Sequence, residues 1–359
     1  MRFSPFTRPA KHGRRELLRN RWQPSSGSRL RVLLSEYLEP RLLCCRRRAM
    51  ACDFEFRIPD TQRRHLGAVQ AALDLVDRLE DQMSVFRDNS EISRINRLAH
   101  QEPVEIGWGL FDLLQEAVSL SRETGRAFDP TSGSYSRCWG FLARQGRHPT
   151  DQEIQNLAGQ VGPDLIDLDS GGKTVRLRGS GVELNLGAIG KGYALDRAAG
   201  QMSAAGVGNA HLHAGFSSVY ALGSSPGSAR GAGWPVGIRH PLWPEKNFAI
   251  LHLADCGMGT SGLKEQGYVI DGQAYGHIID PRTGYPARGK ALVSAVAPTA
   301  AEADALSTAF FVMELKEIRS FCEERAEVGA IVLDQNSGAA DSIQMHSFGR
   351  VRNLLEVLN

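Results

Sequence analysis

The 359-residue sequence predicts an α+β fold, mixed sheets with packed helices, on three observations. Hydrophobic residues make up 42% and charged residues 23%, a composition that fills a globular core. Period-two and helical apolar patterns both recur along the chain. They do not alternate strictly, which argues against a doubly wound parallel sheet, and no repeat of fixed period runs through them.

Residues 1–48 are rich in Arg, Ser and Pro, poor in acids and without sustained periodicity. They are set apart as a basic arm, disordered or addressing, and residues 49–359 are taken as one folded domain. Gly13-Arg14-Arg15-Glu16-Leu17-Leu18-Arg19 is like a twin-arginine export signal, but the polar Trp22-Gln23-Pro24-Ser25-Ser26 follows where an apolar core should stand. The other reading is a functional start near Met50, with the upstream residues from an over-extended frame. From residue 52 the chain alternates apolar and polar side chains through Ile58, as a half-buried strand does. Leu73, Leu75, Val76 and Leu79 then fall at helical spacing within 66–86. Ser90 is an N-cap for a shorter helix to Arg97, with Glu91 favourable in its first turn. An amphipathic helix over 108–124 ends at Gly125. Beyond it, strands are expected at 174–178, 182–186, 217–222, 247–253, 267–271 and 291–297, and helices at 190–205, 301–315 and 316–326.

Charge and cysteine content exclude several functions. Residues 1–50 carry 13 basic and three acidic side chains, a surplus of +10, so with an overall net charge of +2 the remainder is at −8. An acidic body is a poor nucleic-acid binder, because phosphates need clustered Lys and Arg. The six cysteines lack the spacing of a zinc site and the density of a disulfide scaffold. No stretch reaches the roughly 20 apolar residues of a transmembrane helix.

Three segments can carry chemistry. Asn185-Leu186-Gly187-Ala188-Ile189-Gly190-Lys191-Gly192-Tyr193 has a strand-like lead-in, glycines around a lysine and a helical continuation. Amides at such a helix start can hold a phosphate while Lys191 supplies charge, although the spacing is not that of a Walker loop. Taken singly, it reads as a tight strand-to-helix turn rather than a phosphate site. His277-Ile278-Ile279-Asp280-Pro281-Arg282-Thr283-Gly284 sets a His and an Asp three apart before a turn, where His277 can act as acid or base, although a lone His is usually structural, and Asp280 can hold a cation. Gly259-Thr260-Ser261-Gly262 and Asp271-Gly272 read as ordinary turns. On a helix, Asp304 and Thr308 fall at i and i+4 on one face. They are hard oxygen ligands suited to magnesium, or else a favourable first-turn Asp and a packing Thr.

In order along the chain, these segments with Met50-Ala51-Cys52, Met83-Ser84-Val85-Phe86, Ser90 to Asn96, Phe128-Asp129-Pro130-Thr131 and Trp139-Gly140-Phe141 resemble the ApbE family of FAD:protein FMN transferases. The resemblance runs from about residue 50 to about 315. It implies a T-fold-related ApbE-like domain, FAD as substrate, magnesium as cofactor, and transfer of FMN to a Ser or Thr hydroxyl of an acceptor protein, a redox subunit, with release of AMP. Hydrolysis of FAD to FMN and AMP, or flavin binding without catalysis, are the alternatives. By the same resemblance Asp304, Thr308 and the Ala188 carbonyl bind the metal, and Lys191 sits by the phosphates. Met50, Phe86, Phe128, Asp129, Pro130, Thr131 and Ile278 line the nucleotide or flavin pocket. His277 and Asp280 orient or deprotonate the acceptor hydroxyl. The sequence departs from the family's pattern in Phe86 for a Tyr, Asn185 for an Asp, and His213-Ala214-Gly215-Phe216-Ser217-Ser218 for a Gly-Gly-Asp tract. Analogy places the protein in a bacterial cell envelope, whereas the polar segment after Arg19 leaves the cytoplasm as the alternative.

Overall fold

The computed structural model of the chain describes residues 41–358 apart from 144, 229–232, 244, 263–266, 271–272 and 336–342. The arm up to residue 40 and the Asp271-Gly272 turn therefore lie outside the described residues. The helices are α1 (Leu66–Met83), α2 (Glu91–Leu98), α3 (Trp108–Glu123), α4 (Gly133–Cys138), α5 (Asp151–Leu157), α6 (Gly190–Ala204), α7 (Ala300–Val312) and α8 (Leu315–Glu324). The strands are β1 (Leu42–Ala49), β2 (Cys52–Pro59), β3 (Val104–Glu105), β4 (Ile166–Asp169), β5 (Thr174–Leu177), β6 (Ala210–Ala214), β7 (Ser218–Leu222), β8 (Trp234–Arg239), β9 (Asn247–Leu253), β10 (Cys256–Gly262), β11 (Gly267–Ile270), β12 (Gln273–Gly276), β13 (Lys290–Ala297), β14 (Gly329–Gln335), β15 (Ile343–Gly349) and β16 (Leu355–Val357).

Eight strands in the order β1-β2-β6-β7-β10-β13-β14-β15 form one antiparallel sheet. Helices α1, α6 and α7 cover one face, burying Phe54, Phe56, Leu73, Val76, Leu195, Leu306 and Phe310 in the main core. The small sheet β16-β9-β8 covers part of the other, where Val219, Trp234, Leu251, Ile331 and Leu333 pack. Both faces of the central strands are thus apolar. Each buried side chain of this size contributes about 2 kcal/mol. Mixed antiparallel sheets with packed helices are the α+β class that the sequence predicts.

Helices α1, α2, α3, α6, α7 and α8 lie where the periodicity puts them, shifted by a few residues at their ends. Ser90 caps α2 by accepting the Ser93 amide at 2.9 Å. Three expectations change. Strand β1 takes in residues 42–48 of the expected arm. It escapes the period-two test because it is charged on both faces: Arg46 pairs with Glu55 on one side, and Arg47 reaches Asp74 and Asp77 of α1 on the other. Such charges are common on edge strands, where they discourage further pairing. The strand expected at 182–186 is an extended segment without a ladder. Its side chains do alternate, but Leu184 N donates to the Asn96 side chain and Asn185 N to the Pro130 carbonyl. Finally, Gly259 to Gly262 is the interior of strand β10, not a turn. A Cβ on Gly259 would stand 2.3 Å from the Ala303 carbonyl oxygen, so glycine there lets α7 lie directly on the sheet.

Candidate active site

The glycine-rich turn is built on the buried Leu184 and Leu186. Asn185 closes it by accepting the Gly187 amide at 2.8 Å, and the Gly190 amide returns to the Leu186 carbonyl at 2.7 Å. Helix α6 starts there. At Gly192 it meets the start of α7 so closely that a Cβ would fall 2.0 Å from the Ala300 carbonyl oxygen. Eleven of the thirteen residues of α7 are buried, so this helix carries Asp304 into the interior, 6% exposed.

There Asp304 Oδ2 accepts the Gly192 amide and the Ser218 hydroxyl, each at 2.8 Å. In an uninterrupted helix the Gly192 amide would return to the Ala188 carbonyl. It goes to Asp304 instead, which leaves that carbonyl unused by the Gly192 amide. Thr308 stands one turn along α7, its hydroxyl bonded to the Asp304 carbonyl at 3.3 Å and near Ser261 at 3.4 Å. The resulting group is one carboxylate with the Ser218 and Thr308 hydroxyls, all oxygen, and the Gly192 contact holds the turn that bears the Ala188 carbonyl beside it. Among the described residues no three His, Cys, Asp or Glu side chains gather as a metal site. An oxygen set with so few charges suits magnesium, which keeps waters and shares its shell with substrate phosphates.

Lys191 lies on the same turn, near Cys52 at the start of β2. Burial pushes the Cys52 thiol up, and the Lys191 charge pulls against that shift. Met50 forms the tip of the β1–β2 hairpin, where it and Ala51 adopt positive φ of 47° and 60°, the two-residue turn that matches strand twist. Met83 seats its Cε 3.7 Å from where a Cβ on Gly190 would stand, and Phe86, three residues on, is 73% exposed. The structure thus brings together Asp304, Thr308 and the turn carrying Ala188 and Lys191.

Several other expected site residues are buried. Phe128, Asp129 and Thr131 are buried. Asp129 Oδ1 accepts both the amide and the hydroxyl of Thr131, at 2.9 and 2.6 Å, and Thr131 accepts the Gly162 amide at 2.8 Å. Burial pushes the Asp129 carboxyl up despite these bonds. Through the Pro130 carbonyl this brace holds Asn185, and so supports the glycine turn from beneath. Ile278 is buried in the main core. Asp280 is a turn residue: its carboxylate accepts from the Arg282 amide and guanidinium at 2.9 to 3.0 Å, and its carbonyl from Gly284. His277, just before that turn, is partly buried.

Two contributors were missed in the sequence. Ser218 belongs to the tract that departs from the family pattern, and only its place opposite α7 reveals its role. Asp196 is one turn beyond Gly192, and its carboxylate accepts the amides of Ala300 and Ala301, residues more than a hundred positions away. Burial pushes the Asp196 carboxyl up to about 7, against the lowering effect of those two amides. A groove of about 770 Å³ lined by Asn96, Arg137, Cys138, Glu153 and Glu183 lies apart from these groups; Lys191, Asp304, Thr308 and His277 do not line it.

With this geometry in place, comparison with known proteins gives a consistent result. The profile of the ApbE family matches residues 50–332. A curated FAD:protein FMN transferase of Treponema pallidum is 31% identical over 293 residues, 77% of this chain and 81% of that protein. One from Haemophilus influenzae is 30% identical over 239 residues, 64% and 68% of the two chains. The crystal structure of the ApbE protein of Thermotoga maritima superposes with a TM-score of 0.78 at 28% identity, over 88% of this chain and 99% of that one. Flavin transferase ApbE from Vibrio cholerae, at 22% identity, shares the fold with a TM-score of 0.74, over 88% of this chain and all of its own.

Proposed function

The chain belongs to the ApbE family, and from that premise we propose that it transfers the FMN part of FAD to a Ser or Thr hydroxyl of an acceptor protein, with magnesium bound and AMP released. The observation that carries this reading is the buried Asp304 carboxylate, aligned by Gly192 and Ser218 one helical turn from the Thr308 hydroxyl. Asp304, Thr308 and the Ala188 carbonyl would hold the magnesium ion. Bound there, the ion would supply Lewis acidity to the pyrophosphate and so make AMP a better leaving group.

The protein's own groups do the rest by position and charge. Lys191 places a positive charge beside the phosphates from the turn that also presents Ala188. His277 takes the proton of the acceptor hydroxyl while its oxygen bonds to the FMN phosphorus and the phosphorus–oxygen bond to AMP breaks. Asp280, engaged with Arg282, holds the turn that follows His277 and is a positioning group, not the base. Met50 and the exposed Phe86 offer apolar surface at the rim for the flavin or adenine. The acceptor is a redox subunit in this reading.

Incubating the full chain with FAD and magnesium, with and without EDTA and an unflavinylated acceptor of one of these relatives, tests the proposal. Chromatography should show AMP only when metal is present, and AMP matched by protein-bound flavin when acceptor is added. Intact FAD in the complete mixture would refute it. AMP with an equal yield of free FMN and no bound flavin would identify a hydrolase.

A further inference from the structure

Helices α6 and α7 grip each other through a reciprocal pair of contacts. On α6, Gly192 gives its amide to Asp304 at 2.8 Å, and four residues later Asp196 takes the amides of Ala300 and Ala301 at 2.7 and 2.8 Å. On α7 the amide at Ala300 and the carboxylate at Asp304 are again four apart. Each helix therefore offers a first-turn amide and a second-turn carboxylate to the other, and each carboxylate lies at the positive end of its neighbour.

The first amides of α7 are fully accounted for. Asp196 satisfies Ala300 and Ala301, the Thr299 hydroxyl accepts from Glu302 at 3.1 Å, and Ala303 bonds the Thr299 carbonyl. Two different residues thus cap one helix end. Thr299 belongs to the entry of α7 itself and cannot fix where the helix stands. Asp196 comes from α6, so its two bonds set the height of α7 against the turn that presents Ala188 and Lys191.

We infer that Asp196 is a positioning residue for the metal site: it fixes α7 against α6 and thereby the separation of Asp304 and Thr308 from Ala188. This rests on the proposal that Asp304 and Thr308 hold the metal. The two caps separate a positioning role from simple helix stabilisation, since both stabilise α7 but only one ties it to α6.

The experiment is a titration of Mn2+ followed by electron paramagnetic resonance, with ADP supplying a pyrophosphate and no flavin to transfer, alongside thermal melts. Wild type, Asp196→Ala, Asp196→Asn and Thr299→Ala are compared. Asp196→Ala should weaken Mn2+ binding about tenfold or more, the loss typical when a group that orients a ligand is removed. Asp196→Asn retains one acceptor oxygen but turns an amide donor toward the other N–H, so it should fall between, and it carries the comparison if the Ala variant does not fold. Thr299→Ala should lower the melting temperature and leave Mn2+ affinity unchanged. Equal Mn2+ affinity in wild type and both Asp196 variants, or equal weakening by Thr299→Ala and Asp196→Ala, would overturn the inference. A wild type that takes up no Mn2+ would overturn the ligand assignment itself, and the inference with it.

Discussion

The Gly192 amide and the Asp304 carboxylate, 112 residues apart in the chain, meet at 2.8 Å and join the glycine turn to the oxygen-rich face of α7. The contact needs glycine on one side and a buried acid on the other, and it concentrates the chemistry of the site on two helix starts.

Asp304→Asn keeps an oxygen that can accept from Gly192 and Ser218 but removes the charge that a cation needs. The variant should fold with a near wild-type melting temperature and lose at least about a hundredfold in transfer rate. AMP release measured over a magnesium series checks it; wild-type rates at any magnesium level would contradict the ligand role.

Ser218→Ala removes the hydroxyl hydrogen bond on Asp304 Oδ2 and leaves the charge. Half-saturation by magnesium should rise about tenfold, with the rate at saturating metal largely retained. An unchanged magnesium dependence would mean that Ser218 does not orient the carboxylate.

Gly192→Ala places a methyl group 2.0 Å from the Ala300 carbonyl oxygen, backbone that cannot swing aside. The helices must separate, at a cost of about 2–3 kcal/mol. Chemical denaturation reads this directly, and magnesium affinity should fall with stability because α7 moves.

His211 is 9% exposed, both of its ring nitrogens lack a hydrogen-bond partner among the described residues, and it packs near the Trp234 ring. Burial holds its pKa down to about 4, helped by the charges of His213 and Arg57. A folded-state value below the unfolded one of 6.5 means that the unfolded chain binds the extra proton first. Stability is then present above pH 6.5 and lost as pH falls toward 4, by up to about 3 kcal/mol. Melting His211→Phe and wild type between pH 7 and pH 4 should give a visibly flatter curve for the variant.

The patterns of the candidate site show in residue spacing, and the family resemblance gives those residues their expected roles. Asp304 and Thr308 one turn apart on a helix, and a lysine among glycines at a helix start, are features of short segments. What spacing does not contain is depth and distant pairing. Phe128 to Thr131 is expected by the resemblance to line the nucleotide or flavin pocket, and spacing does not show that its acid and hydroxyl bond each other inside the protein. Asp280, expected to hold a cation or, by the resemblance, to orient or deprotonate the acceptor hydroxyl, has Arg282 paired with its carboxylate. The glycines of β10 read as a turn because what they accommodate is a helix more than forty residues later. Strand β1 hides behind three consecutive arginines whose partners lie on β2 and α1.

The measurement that bears most directly on the account is covalent flavin on an acceptor protein, read as in-gel flavin fluorescence and as intact mass. Wild type and Asp304→Asn are each incubated with FAD, magnesium and the unflavinylated acceptor. The account predicts a fluorescent acceptor heavier by one FMN with wild type, lost on adding EDTA, and none with Asp304→Asn. Equal labelling by the two proteins, or labelling that persists in EDTA, would contradict it.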